Sequence, residues 1–67
     1  MDSPRYPNIT VELTGHDGNA FSIIGQVAQE LRRNRVPAEE IDAFRKEAMS
    51  GDYDHLLRTC MRWVEVE

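Results

Sequence analysis

Apolar and polar residues alternate from Asn8 to Thr14, with Ile9, Val11 and Leu13 on one side and Asn8, Thr10, Glu12 and Thr14 on the other. A period of two marks a strand with one dry face and one wet face. Gly15-His16-Asp17-Gly18-Asn19 interrupts it with residues that suit turns. The period then lengthens. Phe21, Ile24, Val27, Ala28 and Leu31, widened by Ile23, recur at helical spacing, which predicts a first helix from Asn19 or Ala20 to about Asn34. Asn19 is placed to cap it by accepting an orphan backbone N–H. Gly25 costs about 1 kcal/mol of helix propensity relative to alanine, which leads to the expectation of a close neighbour there.

Pro37 restarts the pattern, and Glu39, Glu40 and Asp42 give the acidic opening that a helix dipole favours. Ile41, Phe44 and Ala48 form the buried stripe of this second helix, with Met49 beside it. Ser50-Gly51 closes it, with Gly51 suited to a left-handed cap. Asp52 caps a third helix in which Tyr53, Leu56, Leu57, Cys60 and Met61 fall at helical spacing. Trp63, Glu65 and Glu67 then alternate with Val64 and Val66, the sign of a short final strand. The predicted fold is α+β: strand, helix, helix, helix, strand, with the two terminal strands paired and covered by three helices. Residues 1–7, with Pro4 and Pro7 and no period, read as a flexible leader to a single domain over 8–67. Two strands alone leave free edges that a second copy would complete, so a homo-oligomer is expected, a dimer first.

Composition narrows the function classes. A 67-residue chain hides only a modest share of its surface, and Cys60, the sole cysteine, excludes an internal disulfide. Eight basic against twelve acidic residues, a net charge of −4, argue against coating nucleic acid. No run approaches the ~20 apolar residues of a membrane span. Met1-Asp2-Ser3-Pro4-Arg5 lacks the apolar run of a secretory signal, and with one thiol this points to a reducing cytoplasm.

Candidate chemistry lies in four places. The turn holding His16, Gly18 and Asn19 opens a helix and offers backbone N–H groups to an anion, although an ordinary turn and cap explains it as well. Arg32, Arg33 and Arg35 cluster at one helix end, while Arg58 and Arg62 share a face of the third helix. Guanidinium forks suit phosphate or carboxylate, and converging sets would make an anion pocket; paired, solvated helix faces are the plainer account. Trp63 and Tyr53 are the candidates for a contact surface, Trp63 lying either in an interface or beneath the leader against Tyr6. His55 with Asp52 or Asp54 could do acid–base work, but capping and the dipole account for both carboxylates. Cys60 lies on an apolar stripe with no base beside it. No catalytic residue, metal or cofactor is expected.

Asp17-Gly18-Asn19-Ala20-Phe21, Ser50-Gly51-Asp52-Tyr53-Asp54-His55-Leu56-Leu57 and Arg62-Trp63-Val64 resemble segments of a group of small, uncharacterised proteins of bacteria and their phages, over roughly residues 6–67. The resemblance transfers no catalytic residue. It implies a phage or prophage origin and a role in binding. The leading expectation is a non-enzymatic counter-defence module that sequesters an anionic small molecule such as a nucleotide signal. The alternative is a protein-interaction module that inhibits or regulates a host or phage protein.

Overall fold

The computed structural model describes residues 4–13 and 19–67, and its elements follow the expected order: β1 (Tyr6–Val11), α1 (Ala20–Arg33), α2 (Ala38–Ala48), α3 (Tyr53–Trp63) and β2 (Val64–Val66). The end of the first predicted strand at Thr14 lies outside the described residues. Each helix start has a local cause. Asn19 accepts from the backbone N–H of Phe21 (2.8 Å) and of Ser22 (3.4 Å), and Asp52 accepts from that of His55 (2.9 Å). Pro37 is the cap residue of α2, its carbonyl accepting from the N–H groups of Glu40 and Ile41.

β1 and β2 pair in parallel. A parallel pair needs a long crossover between its strands, and the three helices supply it. Tyr6 lies opposite Val64 and Thr10 opposite Glu65, so three residues of β1, Pro7 to Ile9, have no counterpart in β2. Pro7 has no N–H to give a ladder, which suits it to this interruption. The pairing is prolonged at both ends: Arg5 N–H donates to the Arg62 carbonyl (2.7 Å), and at the far end Leu13 N–H donates to the Glu67 carbonyl and Glu67 N–H to the Val11 carbonyl (both 3.0 Å).

The inner face of the sheet, Ile9, Val11 and Val64, meets Val27 and Leu31 of α1, Phe44 of α2, and Leu56 and Cys60 of α3 in one core. Thr59, the buried polar residue, satisfies its hydroxyl by donating to the His55 carbonyl one turn back (2.8 Å).

Several expectations require correction. Tyr6 and Pro7, read as part of the leader, belong to β1, and Arg5 and Tyr6 lie against Trp63. The Tyr6 ring stacks on the indole with centroids 6.0 Å apart, Phe44 meets it edge-on at 5.7 Å, and the Arg5 guanidinium lies 4.8 Å from the ring centre. Glu40 ties the group to α2, accepting from the Tyr6 hydroxyl (3.2 Å) and pairing with Arg5 (2.6 Å). Trp63 is therefore the last residue of α3, only 8% exposed, and not a residue of the final strand's wet face. It completes the stripe Leu56, Cys60, Trp63, so its interface role is withdrawn and its packing against Tyr6 stands. Met61 points to solvent, and buried Thr59 takes the place assigned to it. Phe21 is 77% exposed rather than part of the α1 stripe, which consists of Ile23, Ile24, Val27, Ala28 and Leu31.

The glycines also exchange roles. A Cβ on Gly25 would meet nothing within 4 Å, so no close neighbour explains it. Gly51 is not left-handed; a Cβ there would stand 2.7 Å from Cγ and 2.8 Å from Cβ of His55, so steric room is what it supplies. The left-handed position falls instead on Arg35 (φ 63°), in the turn where its N–H donates to the Arg32 carbonyl and Val36 N–H donates to that of Leu31. Such a cap usually takes glycine. We therefore expect Gly25→Ala to raise stability by up to about 1 kcal/mol through helix propensity, and Gly51→Ala to lower it by about 1–3 kcal/mol through overpacking. Urea unfolding curves check both, and equal effects of the two substitutions would contradict these local environments.

Candidate functional site

α1 and α2 form a helical hairpin around the turn Asn34–Pro37, and a groove runs along its solvent side. Phe21, Gly25, Ala28 and Arg32 are spaced i, i+4, i+7, i+11 and so share one stripe of α1. Ala38, Asp42, Arg45 and Met49 share the matching stripe of α2 and its C-terminal cap. Lining residues show how the stripes face each other. Phe21 and Ile24 share a depression with Met49, and Arg32 shares one with Ala38 and Asp42, so the helices run antiparallel.

The groove changes character along its length. At one end a depression of about 320 Å³ is lined by apolar side chains of all three helices, including Phe21, Met49, Tyr53 and Leu56, with Asp52 at its edge. Phe21, Met49 and Tyr53 are 77%, 55% and 43% exposed. In the middle, a hollow of about 470 Å³ is lined by Gly25, Ala28, Gln29, Arg32, Arg33 and Arg45. Beyond it, Arg32 and Arg45 also line a smaller hollow of about 130 Å³ with Val36, Ala38, Ile41 and Asp42. Gly25 leaves the floor open because no side chain stands there and nothing approaches it.

The residues expected from sequence divide among different places. His16 and Gly18 lie outside the described residues. Asn19 is occupied in capping α1. Arg32 and Arg33 enter the groove together, joined by Arg45 from α2, which had no place among the expected residues. Arg33 pairs with Glu30 (3.0 Å), while Arg32 and Arg45 have no ion pair among the described residues. Arg35 turns away into a separate hollow with Arg5, Asn8 and Asn34. Arg58 is exposed on α3, and Arg62 lies 3.8 Å from Glu47 of α2. Tyr53 is exposed and lines the apolar depression. Its companions Phe21 and Met49 were assigned to or beside buried stripes, and only helix rotation separates the two cases.

His55 is engaged in structure. Its Nε2 lies 2.8 Å from the Glu47 carbonyl, 3.0 Å from Ser50 Oγ and 3.5 Å from Thr59 Oγ1. A carbonyl oxygen only accepts, so Nε2 carries the proton and donates to it. Ser50 Oγ donates to the same carbonyl (2.7 Å). A nitrogen already bearing a proton cannot take one from Ser50, so this pair lacks the geometry of a nucleophile and its base. What it does is add a side-chain donor to a carbonyl at the C-terminus of α2 that also accepts from the Ser50 backbone N–H (3.2 Å). Asp52 is likewise occupied in capping α3.

Among the described residues no group of His, Cys, Asp and Glu side chains could hold a metal ion, and no helix is long and apolar enough to cross a membrane. Comparison with family models, curated proteins and solved structures finds no match to this chain. The functional reading therefore rests on the residues themselves.

Cys60 is fully buried, and desolvation pushes its thiol from the ordinary 9.0 up to about 11. The Tyr6 phenol is raised as well, first by burial and then by the Glu40 carboxylate it donates to. A raised pKa means the folded state keeps a proton that the unfolded state has lost. The thiol's contribution is thus complete below pH 9 and is lost as pH rises through about 11. We expect the urea midpoint to fall over this window and to fall less steeply in Cys60→Ala; a midpoint flat from pH 9 to 11 would contradict it.

Proposed function

We propose that this chain is a non-enzymatic protein-binding module whose contact surface is the apolar end of the α1–α2 groove. One observation carries the reading: Phe21, Met49 and Tyr53, three large apolar side chains at the ends of three helices, stand exposed around one depression. Side chains of this size offer roughly 150–250 Å² each, and their exposures leave roughly 350 Å² of adjoining apolar surface, within the size range in which a monomer's largest patch is often functional. Burying it in a partner is favourable by the same physics that builds the core. In the phage or prophage setting implied by the resemblance, a module of this kind inhibits or regulates a host or phage protein in the cytoplasm. The surface differs from the one first expected, which was centred on Trp63.

The original leading expectation, capture of an anionic small molecule such as a nucleotide signal in a counter-defence role, is favoured by a separate observation. Arg32 and Arg45 approach one hollow from two helices, with no ion pair to a carboxylate among the described residues. Two guanidinium forks facing one space suit a phosphate.

The two readings are tested side by side. Phe21 is the second residue of α1, where an acidic side chain suits the helix dipole, so Phe21→Asp should fold normally. Affinity capture from host cells with the tagged chain should recover a partner that Phe21→Asp and Tyr53→Ala each lose at least tenfold. An untagged second copy carried along would identify a homodimer. Undiminished capture by both variants would remove the docking reading. For the small-molecule reading, calorimetric titration with a nucleotide panel should show binding that weakens as salt rises and in Arg45→Gln; absence of binding at millimolar ligand would remove it.

A further inference from the structure

The apolar depression and the arginine hollow follow one another along the stripe Phe21, Gly25, Ala28, Arg32, so a single occupant can span both. Arg32 lies eleven residues from Phe21 on the same stripe, about 16 Å along the helix axis, or three turns. The walls of the groove are helices, whose interior N–H and C=O groups are already bonded to each other. An extended peptide lying there would find no row of backbone partners for its own polar groups. A helix brings its backbone already satisfied and needs only side-chain complementarity, as in recognition of amphipathic helices by hydrophobic grooves. The middle of the groove also suits close approach, because Gly25 and Ala28 present almost no side chain and the space over Gly25 is open.

Charge sets the other half of the match. Arg32, Arg33 and Arg45 line the hollow, and two of the three have no carboxylate partner among the described residues. Carboxylates on an incoming helix would supply charge-assisted, forked hydrogen bonds. Asp42 lines the smaller hollow together with Arg32 and Arg45 and would repel a carboxylate placed on that side of them.

Resting on the docking reading above, we infer that the partner segment is an acidic amphipathic helix. Large apolar residues of one end enter the Phe21–Met49–Tyr53 depression, and carboxylates between one and three turns away meet Arg45, Arg32 and Arg33. Affinity then has an apolar part insensitive to salt and an ionic part that salt weakens.

The test uses synthetic alanine-based helical peptides carrying leucines in the first two turns and glutamates between one and three turns further on. A matched peptide has lysines in place of the glutamates. Fluorescence anisotropy with the full chain should show the glutamate peptide binding at least tenfold more tightly than the lysine peptide at low salt. The preference should shrink by about that factor at 0.5 M salt and in Arg32→Gln/Arg45→Gln. Gly25→Leu, which fills the open floor without changing charge, should abolish binding of the glutamate peptide while circular dichroism reports an intact fold. Equal binding of the two peptides, or no binding of either at millimolar concentration, would overturn the inference. So would full displacement of the peptide by micromolar pyrophosphate, which would assign the arginines to a small anion. The docking reading is judged independently by Phe21→Asp in cell capture, so a charge-indifferent partner lost by that variant would leave the docking reading standing without the acidic helix.

Discussion

The indole of Trp63 is the point on which the structure closes. It ends α3, one residue before β2 begins, and it is enclosed by Tyr6 and Arg5 from the chain's opening segment and by Phe44 from α2. A single aromatic ring thus joins both strands' neighbourhoods to the helical layer. Glu40 holds the cover in place by receiving both the Arg5 guanidinium and the Tyr6 hydroxyl. Without that enclosure a two-stranded sheet has little to keep it together, since isolated pairs of strands are marginal in water. The strand pairing and the aromatic contact therefore depend on each other.

Much of the architecture was legible because its causes are local. Asn19 and Asp52 cap their helices as side chains of their type do, and the alternation around Ile9 and Val11 marks β1 with its buried face. The misread residues share one physical ambiguity. Trp63 stands three residues after Cys60 and two before Glu65, so it satisfies both a helical and a strand period. Phe21, Met49 and Met61 are apolar and near the stripes, but lie at helix azimuths that tertiary packing leaves in solvent. Spacing alone gives a stripe's centre well and its margin poorly, since the margin depends on where neighbouring helices sit. Gly25 and Gly51 show the same limit: one glycine borders open space and the other the ring of His55, and propensity does not distinguish the cases.

The candidate site was less legible because it is made between elements. Arg32 and Arg33 were recognisable as a cationic cluster, but Arg45 joins them only through the antiparallel packing of α1 and α2. Arg35, adjacent in sequence, is directed elsewhere by a backbone turned into the left-handed region. Tyr53 stood out as an aromatic at a helix start; its relation to Phe21, more than thirty residues away, follows from where α3 begins relative to the hairpin. A groove that passes from apolar to cationic is therefore a property of the fold, assembled from residues that each have an ordinary local explanation.

The parallel pairing of Tyr6 with Val64 also has a consequence for how the molecule gains and loses order. Parallel strands joined by a long crossover are contacts of high sequence separation, and the entropy of closing that span must be overcome before the sheet gives anything back. The helical hairpin can organise early from near neighbours, whereas the indole becomes dry only when both distant segments arrive together. Its emission therefore acts as an optical gauge of the joining of the chain's two ends.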